Sequence, residues 1–188
     1  QSIDLGLERV ASVKDRMGLA FNGPVIIVGG TNGKGSVCAM LEAMLQAAGY
    51  KTGLYTSPHL LSYNERVRVD GSPIGDQRLT AAFERVEEAR EDVSLTYFEF
   101  GTLAAWDVFA NAGLDVLILE IGLGGRLDAV NVFDADCAIV TSVGIDHVEY
   151  LGATRDLIGF EKAGIFRSQR AAVCGDPLPP ESLLSHAR

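Results

Sequence analysis

The residues between Gly23 and Gly49 narrow the possible folds more than any other stretch. Val25-Ile26-Ile27-Val28 is a continuous apolar run rich in β-branched residues, bounded by Gly23-Pro24 and Gly29-Gly30. Such a run suits a strand buried on both faces, as in a parallel sheet. Beyond the glycines, Val37, Met40, Leu41, Met44, Leu45 and Ala48 recur at steps of three and four, with Gly49 at the stop position. That is the period of an amphipathic helix and its usual terminator. Thr52 to Thr56 reads as the next strand, so the segment is a βαβ unit with a glycine loop at its first turn.

The alternation continues along the chain. Arg66-Val67-Arg68-Val69 has the two-residue period of a short strand, inside an otherwise loop-rich stretch from Ser57 to Asp76. Leu79, Phe83 and Val86 mark a helix, and a second runs from Thr96 to Ala112 with Leu103, Trp106 and Phe109 on one side. Val116 to Leu119, Ala138 to Val140 and, more weakly, Ala171 to Val173 read as further strands, with a helix from Thr154 to Ala163 before the last. The expected fold is therefore α/β, a mainly parallel sheet flanked by helices. Residues 1–175 are expected to form one domain, a size that can bury its own core. Residues 176–188, beginning Asp176-Pro177-Leu178-Pro179-Pro180 and carrying a short helix from Glu181 to His186, are expected to be a linker or the start of a second domain.

Composition removes several classes of function. The formal net charge is −9 over 188 residues, so polyanionic partners are disfavoured; neither nucleic acid nor an anionic membrane is an expected partner. No apolar stretch is long enough to span a bilayer, and the start of the chain has no signal-peptide pattern. Cys38, Cys137 and Cys174 are widely spaced without metal-ligand spacing and are expected to be reduced core cysteines of a cytoplasmic protein.

Gly29-Gly30-Thr31-Asn32-Gly33-Lys34-Gly35-Ser36 joins the first strand to the first helix. Glycines there let several backbone N–H groups converge on a phosphate, and the helix N-terminus adds partial positive charge. Lys34 is placed to reach the β- and γ-phosphates, and Ser36 to hold a phosphate or Mg²⁺. The stretch departs from the pattern G-x-x-x-x-G-K-[ST]: Val28 stands where its first glycine belongs, and Gly35 separates Lys34 from Ser36. The strand before it and the helix after it carry the reading of a phosphate loop formed by Thr31, Asn32, Gly33, Lys34, Gly35 and Ser36.

Glu120 ends an otherwise apolar strand, where an unpaired carboxylate is costly and where ligands of open α/β sheets bind. Ser57 precedes Pro58 and can cap a helix. Thr96-Tyr97-Phe98-Glu99 fits a capping box, while its two aromatic residues suit stacking on a flat heterocycle. Lys162 sits in the last turn of a helix, with Gly164 as its stop. Gly122 to Asn131 places polar side chains among glycines, the composition of a mobile functional loop. Within it Arg126 can meet a carboxylate or phosphate, and Asp128 can hold Arg126 in place.

Several of these motifs occur together in one order. Gly-Thr-Asn-Gly-Lys-Gly-Ser at 30–36 is similar to the phosphate loop of the Mur-ligase-like amide ligases. Ser57-Pro58-His59-Leu60, Glu65-Arg66, Thr96 to Glu99, Gly122 to Asn131, Asp146-His147 and Glu161-Lys162-Ala163-Gly164-Ile165 resemble the folylpolyglutamate synthase/dihydrofolate synthase branch. The likeness runs from Ile3 to Gly175. It implies the P-loop NTPase-like central domain of that superfamily, without the second α/β domain that follows in the family. It also implies an ATP- and Mg²⁺-dependent ligase that activates a carboxylate of dihydropteroate or a reduced folate as an acyl phosphate and joins it to L-glutamate, working as a monomer in full-length form. Lys34, Lys162 and His147 would be catalytic, with Lys162 carbamylated by CO₂. Ser57, Glu120 and His147 would hold Mg²⁺. Thr96, Tyr97, Phe98, Glu99, Arg126 and Asp128 would lie on the substrate side, and Thr96 to Glu99 leans toward the bifunctional bacterial enzymes. A bare nucleotide-binding module, a catalytically incomplete fragment and a peptidoglycan-type ligase are the competing readings.

Overall fold

The computed structural model describes residues 5–187. Its sheet has seven strands: β1 (Val25–Gly29), β2 (Thr52–Tyr55), β3 (Val67–Val69), β4 (Ser72–Pro73), β5 (Val116–Glu120), β6 (Cys137–Val140) and β7 (Ala171–Cys174). Their order is β4-β3-β2-β5-β1-β6-β7. The five strands from β2 to β7 in that order pair in parallel, and the hairpin β3–β4 adds to the β2 edge antiparallel. The mainly parallel α/β sheet expected from the alternation is what forms.

Register sets the location of the site. Val28 lies opposite Glu120 on one side and Ile139 on the other, and Gly29 lies opposite Val140. The loop leaving β1 therefore emerges between the ends of β5 and β6. The chain leaves β1 toward β2 on one side and later reaches β6 on the other, so β1 borders the topological switch point where such sheets bind ligands.

The helices are α1 (Glu8–Met17), α2 (Lys34–Ala47), α3 (Asp76–Arg90), α4 (Tyr97–Ala110), α5 (Val148–Leu151), α6 (Arg155–Ala163) and α7 (Glu181–Ala187). The two-residue period of the strands sorts the core into two layers. Val25, Ile27, Leu117 and Leu119 face a large cluster with Val10, Leu79, Leu103, Phe109 and Ile158, while Val28, Leu54 and Ile118 face α2. Only a narrow strip of α2 is covered. Cys38 is buried with Val37, Leu41 and Leu45 against it, whereas Met40 and Met44 are 63% and 60% exposed. The helical period places both methionines on the packed stripe; among the described residues α2 is the one helix packed on that small cluster, and it buries a narrower arc.

Three other features differ from expectation. Helix α1 was not read from the sequence, although Leu7, Val10, Val13 and Met17 follow a helical period and Gly18 closes the helix at φ 61°. The segment after Val69 is a hairpin, with Asp70 and Gly71 both at positive φ, as an Asp-Gly turn favours. Of the three free cysteines only Cys38 is buried; Cys174 is exposed because β7 is an edge strand. Residues 176–187 lie back on the domain. Asp176 pairs with Arg155 at 2.9 Å, Ser182 Oγ donates to the Asp156 carbonyl at 2.7 Å, and Leu183 is buried. Among the described residues no helix is long and apolar enough to cross a membrane.

Candidate nucleotide and substrate site

The phosphate loop is tied down on one side and open on the other. Thr31 N–H donates to the Ser142 carbonyl at 2.9 Å, and Asn32 N–H to Ser142 Oγ at 3.1 Å. Thr31 Oγ1 accepts from Gly144 N–H at 2.9 Å and donates to its carbonyl at 3.2 Å. Thr141 Oγ1 lies within hydrogen-bond reach of the Asn32 carbonyl at 2.7 Å and the Gly29 carbonyl at 3.2 Å. Gly30, at φ 145°, has no room for a side chain, since a Cβ there would overlap Thr141 Oγ1. The side chain of Thr31 and the amide of Asn32 thus anchor the loop. The amides of Gly33, Lys34, Gly35 and Ser36 find no acceptor among the described residues. They crown the N-terminus of α2, a ready-made anion site. Lys34 Nζ folds over the same loop, donating to the Gly30 carbonyl at 3.0 Å.

Glu120 stands beside this crown, 4% exposed. Its Oε2 accepts the Ser57 amide at 3.0 Å, and its Oε1 is the nearest atom to where a Gly35 Cβ would sit, at 3.8 Å. Burial raises its pKa, opposed by the Ser57 amide and by Lys34. No helix begins at Ser57; its bond to Pro58 is cis, so the helix-cap reading of Ser57 fails and its hydroxyl is not engaged as a cap. Among the described residues no group of three His, Cys, Asp or Glu side chains clusters as a metal site. A buried carboxylate, a hydroxyl and the oxygens of a bound triphosphate nevertheless make the all-oxygen, few-carboxylate set that Mg²⁺ prefers. His147 is half exposed, in a left-handed conformation at φ 47°, with its amide donating to Asp146 Oδ1 at 2.8 Å. Lys162, on α6, is 3% exposed and has no ion-pair or hydrogen-bond partner among the described residues. Burial, helped by the charge of Lys34 and opposed by Asp146, lowers its pKa to about 8.

A cavity of about 910 Å³ opens next to the phosphate loop, lined among others by Lys34, Ser57, Arg66, Tyr97, Asp128 and His147. Thr96, Phe98 and Glu99 lie on the same wall. The capping box forms: Thr96 Oγ1 accepts from Glu99 N–H at 3.2 Å, and Glu99 Oε2 accepts from Thr96 N–H at 2.7 Å. The other oxygen of Glu99 accepts from Arg9 at 3.0 Å. Tyr97 is half exposed and meets Tyr63 edge to face at 5.8 Å between centroids. Phe98 packs on Gly122, where any Cβ would meet its ring at 2.6 Å.

The segment from Gly122 to Asn131 is packed rather than open. Gly124, Gly125 and Asp128 to Asn131 are all buried. Its glycines let α4 and α6 approach the backbone, a different use of glycine from the mobile loop its composition suggested. Asp128 does not hold Arg126: its carboxylate accepts the amides of Leu123 at 2.8 Å and Val130 at 3.0 Å. Burial lifts its pKa to about 7. Arg126 lies outside the cavity lining, with its guanidinium on Glu161 Oε1 at 2.8 Å and over the Phe160 ring. Arg66 lines the cavity as well, with His59 Nδ1 accepting from its Nε at 2.8 Å; the strand-like alternation around Arg66 hides this role in the sequence.

The model of the Mur ligase middle domain matches residues 28–175. The chain belongs to the Mur ligase middle domain family. Among curated members, the dihydrofolate synthase/folylpolyglutamate synthase of Escherichia coli (strain K12) is 54% identical, over 100% of this chain and 45% of its own length. The Haemophilus influenzae protein of the same name is 52% identical over 98% of this chain and 42% of its own. The solved structure of E. coli FolC in complex with DHPP and ADP superposes with a TM-score of 0.97 at 55% identity, covering 100% of this chain and 45% of that one. A bifunctional folylpolyglutamate synthase/dihydrofolate synthase with Mn, AMPPNP and L-glutamate bound gives 0.94 at 50% identity, over 99% and 46%. These Mur ligase relatives fall in the branch that the motifs indicated, and this chain spans under half of their length.

Proposed function

We propose that this chain forms the ATP and pterin side of a ligase joining L-glutamate to dihydropteroate or a reduced folate. The observation that carries the reading is the meeting of two features: four amides without a partner among the described residues at the start of α2, whose Lys34 lines a cavity, and Tyr97 and Phe98 on the wall of that cavity. That pairing suits a triphosphate beside a flat aromatic acid. The relatives solved with ADP and DHPP, or with Mn, AMPPNP and L-glutamate, support the same ligands here.

In this reading the amides of residues 33–36 and Lys34 bind the phosphates and hold them in line for attack. A carboxylate oxygen of the aromatic acid attacks the γ-phosphorus, the bond to the β-bridging oxygen breaks, and ADP leaves. The amine of L-glutamate then attacks the acyl carbon, inorganic phosphate leaves, and the amine loses a proton. Ser57 and Glu120, with His147 as a third candidate, would hold Mg²⁺, which supplies neutralising charge at the triphosphate. Lys162 has a buried amine, without a partner among the described residues, that suits carbamylation, because its neutral form can attack CO₂ and lose a proton. Thr96 and Glu99 cap the helix that carries Tyr97 and Phe98 and line the substrate side of the cavity, as does Asp128. Residues 1–175 act as the nucleotide domain, and the working enzyme is a cytoplasmic monomer.

Calorimetry tests the proposal. MgATP and dihydropteroate should each give saturable heat, with Lys34→Ala removing the first. Heat from nucleotide with none from any pterin would leave a nucleotide-binding module instead.

A further inference from the structure

Arg66 is a buried cation without a counter-charge among the described residues. It is 8% exposed, and no carboxylate among the described residues pairs with it. Its guanidinium carbon lies 5.3 Å from the Tyr63 ring centre and 5.4 Å from that of Tyr97. Its Nε donates to His59 Nδ1 at 2.8 Å, which fixes His59 as an acceptor on that nitrogen. Glu65, the neighbouring carboxylate, is occupied by the amides of Leu60, Leu61 and Ser62 at 2.8, 3.0 and 2.8 Å. Two rings and a histidine therefore hold the guanidinium in one orientation, and its terminal nitrogens have no acceptor among the described residues. Arg66 also lines the cavity shared with Lys34, Ser57 and Tyr97.

A permanently charged group buried in this way is costly unless a partner arrives. The planar fork of an arginine matches a carboxylate through two parallel hydrogen bonds. Phosphate is already served by the open amides of the loop, so the missing partner is a second anion. We propose that Arg66 is the carboxylate anchor of the acid substrate. It grips the carboxylate of a flat aromatic acid stacked against Tyr97, and His59 and Tyr63 act as its positioning residues. This inference rests on the ligase reading above and adds to it the residue that selects an acid.

The test compares dihydropteroate with its carboxamide, two ligands that differ at the acid group alone. Binding to the 188-residue chain is measured by fluorescence or calorimetry. The wild type should prefer the carboxylate by about 10- to 100-fold, the range of a charge-assisted pair. Arg66→Met should bind both ligands alike, at the affinity the wild type has for the carboxamide, and Arg66→Lys should keep part of the preference. Affinity for MgADP should be unchanged in both variants. Equal binding of the two ligands by the wild type overturns the proposal without needing any variant. So does a preference that survives in a folded Arg66→Met, or a loss that falls on MgADP. Absence of binding by either pterin sinks the ligase reading itself, a result distinct from binding without discrimination.

Discussion

Lys162→Met is the substitution for which the structure gives the most definite number. The wild-type amine is enclosed, 3% exposed and without a hydrogen-bond or ion-pair partner among the described residues, and its pKa falls from 10.5 to about 8. That displacement is worth about 3 kcal/mol at about 1.4 kcal/mol per pH unit. Because the folded pKa is the lower one, the folded state carries this cost wherever the lysine is charged in both states, below pH 8. As pH rises from about 8 to 10.5, the unfolded chain holds the proton that the folded chain has lost, and the cost is lifted. Methionine has similar bulk and no charge. In CO₂-free buffer at pH 7, Lys162→Met should therefore be more stable than wild type by about 2–3 kcal/mol, a rise of about 4–12 °C in Tm for a chain of this size. The advantage should shrink toward zero by pH 10.5. Urea and thermal unfolding across that pH range measure it. A variant less stable than wild type at pH 7 would mean the ammonium is satisfied in the fold, and the argument for a neutral, carbamylatable amine would be refuted. Bicarbonate offers an independent check: the intact mass of wild type, and not of Lys162→Met, should gain one CO₂.

Gly30→Ala should destabilise the domain by about 3–5 kcal/mol in urea unfolding, from backbone strain, the overlap with Thr141 Oγ1 and the loss of that hydroxyl's hydrogen bond to the loop; a change under about 1 kcal/mol would contradict the packing described. Glu120→Gln should leave stability unchanged or raised, since burial disfavours the charged carboxylate, yet weaken Mg²⁺-dependent nucleotide binding by about 10- to 100-fold. Titrations with and without the metal separate the two effects. Thr96→Ala should cost about 1 kcal/mol of stability through the lost cap, with pterin affinity little changed. A large loss of affinity without loss of stability would place Thr96 in direct contact with the substrate.

The centre of the sheet was legible because β1, β5 and β6 are largely uninterrupted apolar runs, and the phosphate loop because glycines, one lysine and a helix start occur together. Periodicity alone misplaced Met40 and Met44, since it records which residues are apolar and not how wide a strip the sheet can cover. The Gly122–Asn131 segment misled for a related reason: glycines that admit two helices look, in sequence, like glycines that allow motion. Arg126 and Asp128 sit two residues apart, yet their carboxylate and amide partners come from different elements, Glu161 on α6 and the backbone of Leu123 and Val130. Arg66 went unread as a cavity residue because its setting combines His59, Tyr63 and Tyr97, and only the fold brings Tyr97 to the other two. No spacing rule anticipates such a convergence.

Crystals of the chain with Mn²⁺ and a non-hydrolysable ATP analogue would test the site at its root. The anomalous peak of the metal should lie against Glu120 and Ser57, with phosphate density over the amides of residues 33–36. Metal and phosphates found away from that crown, with those four amides still unoccupied, would contradict it.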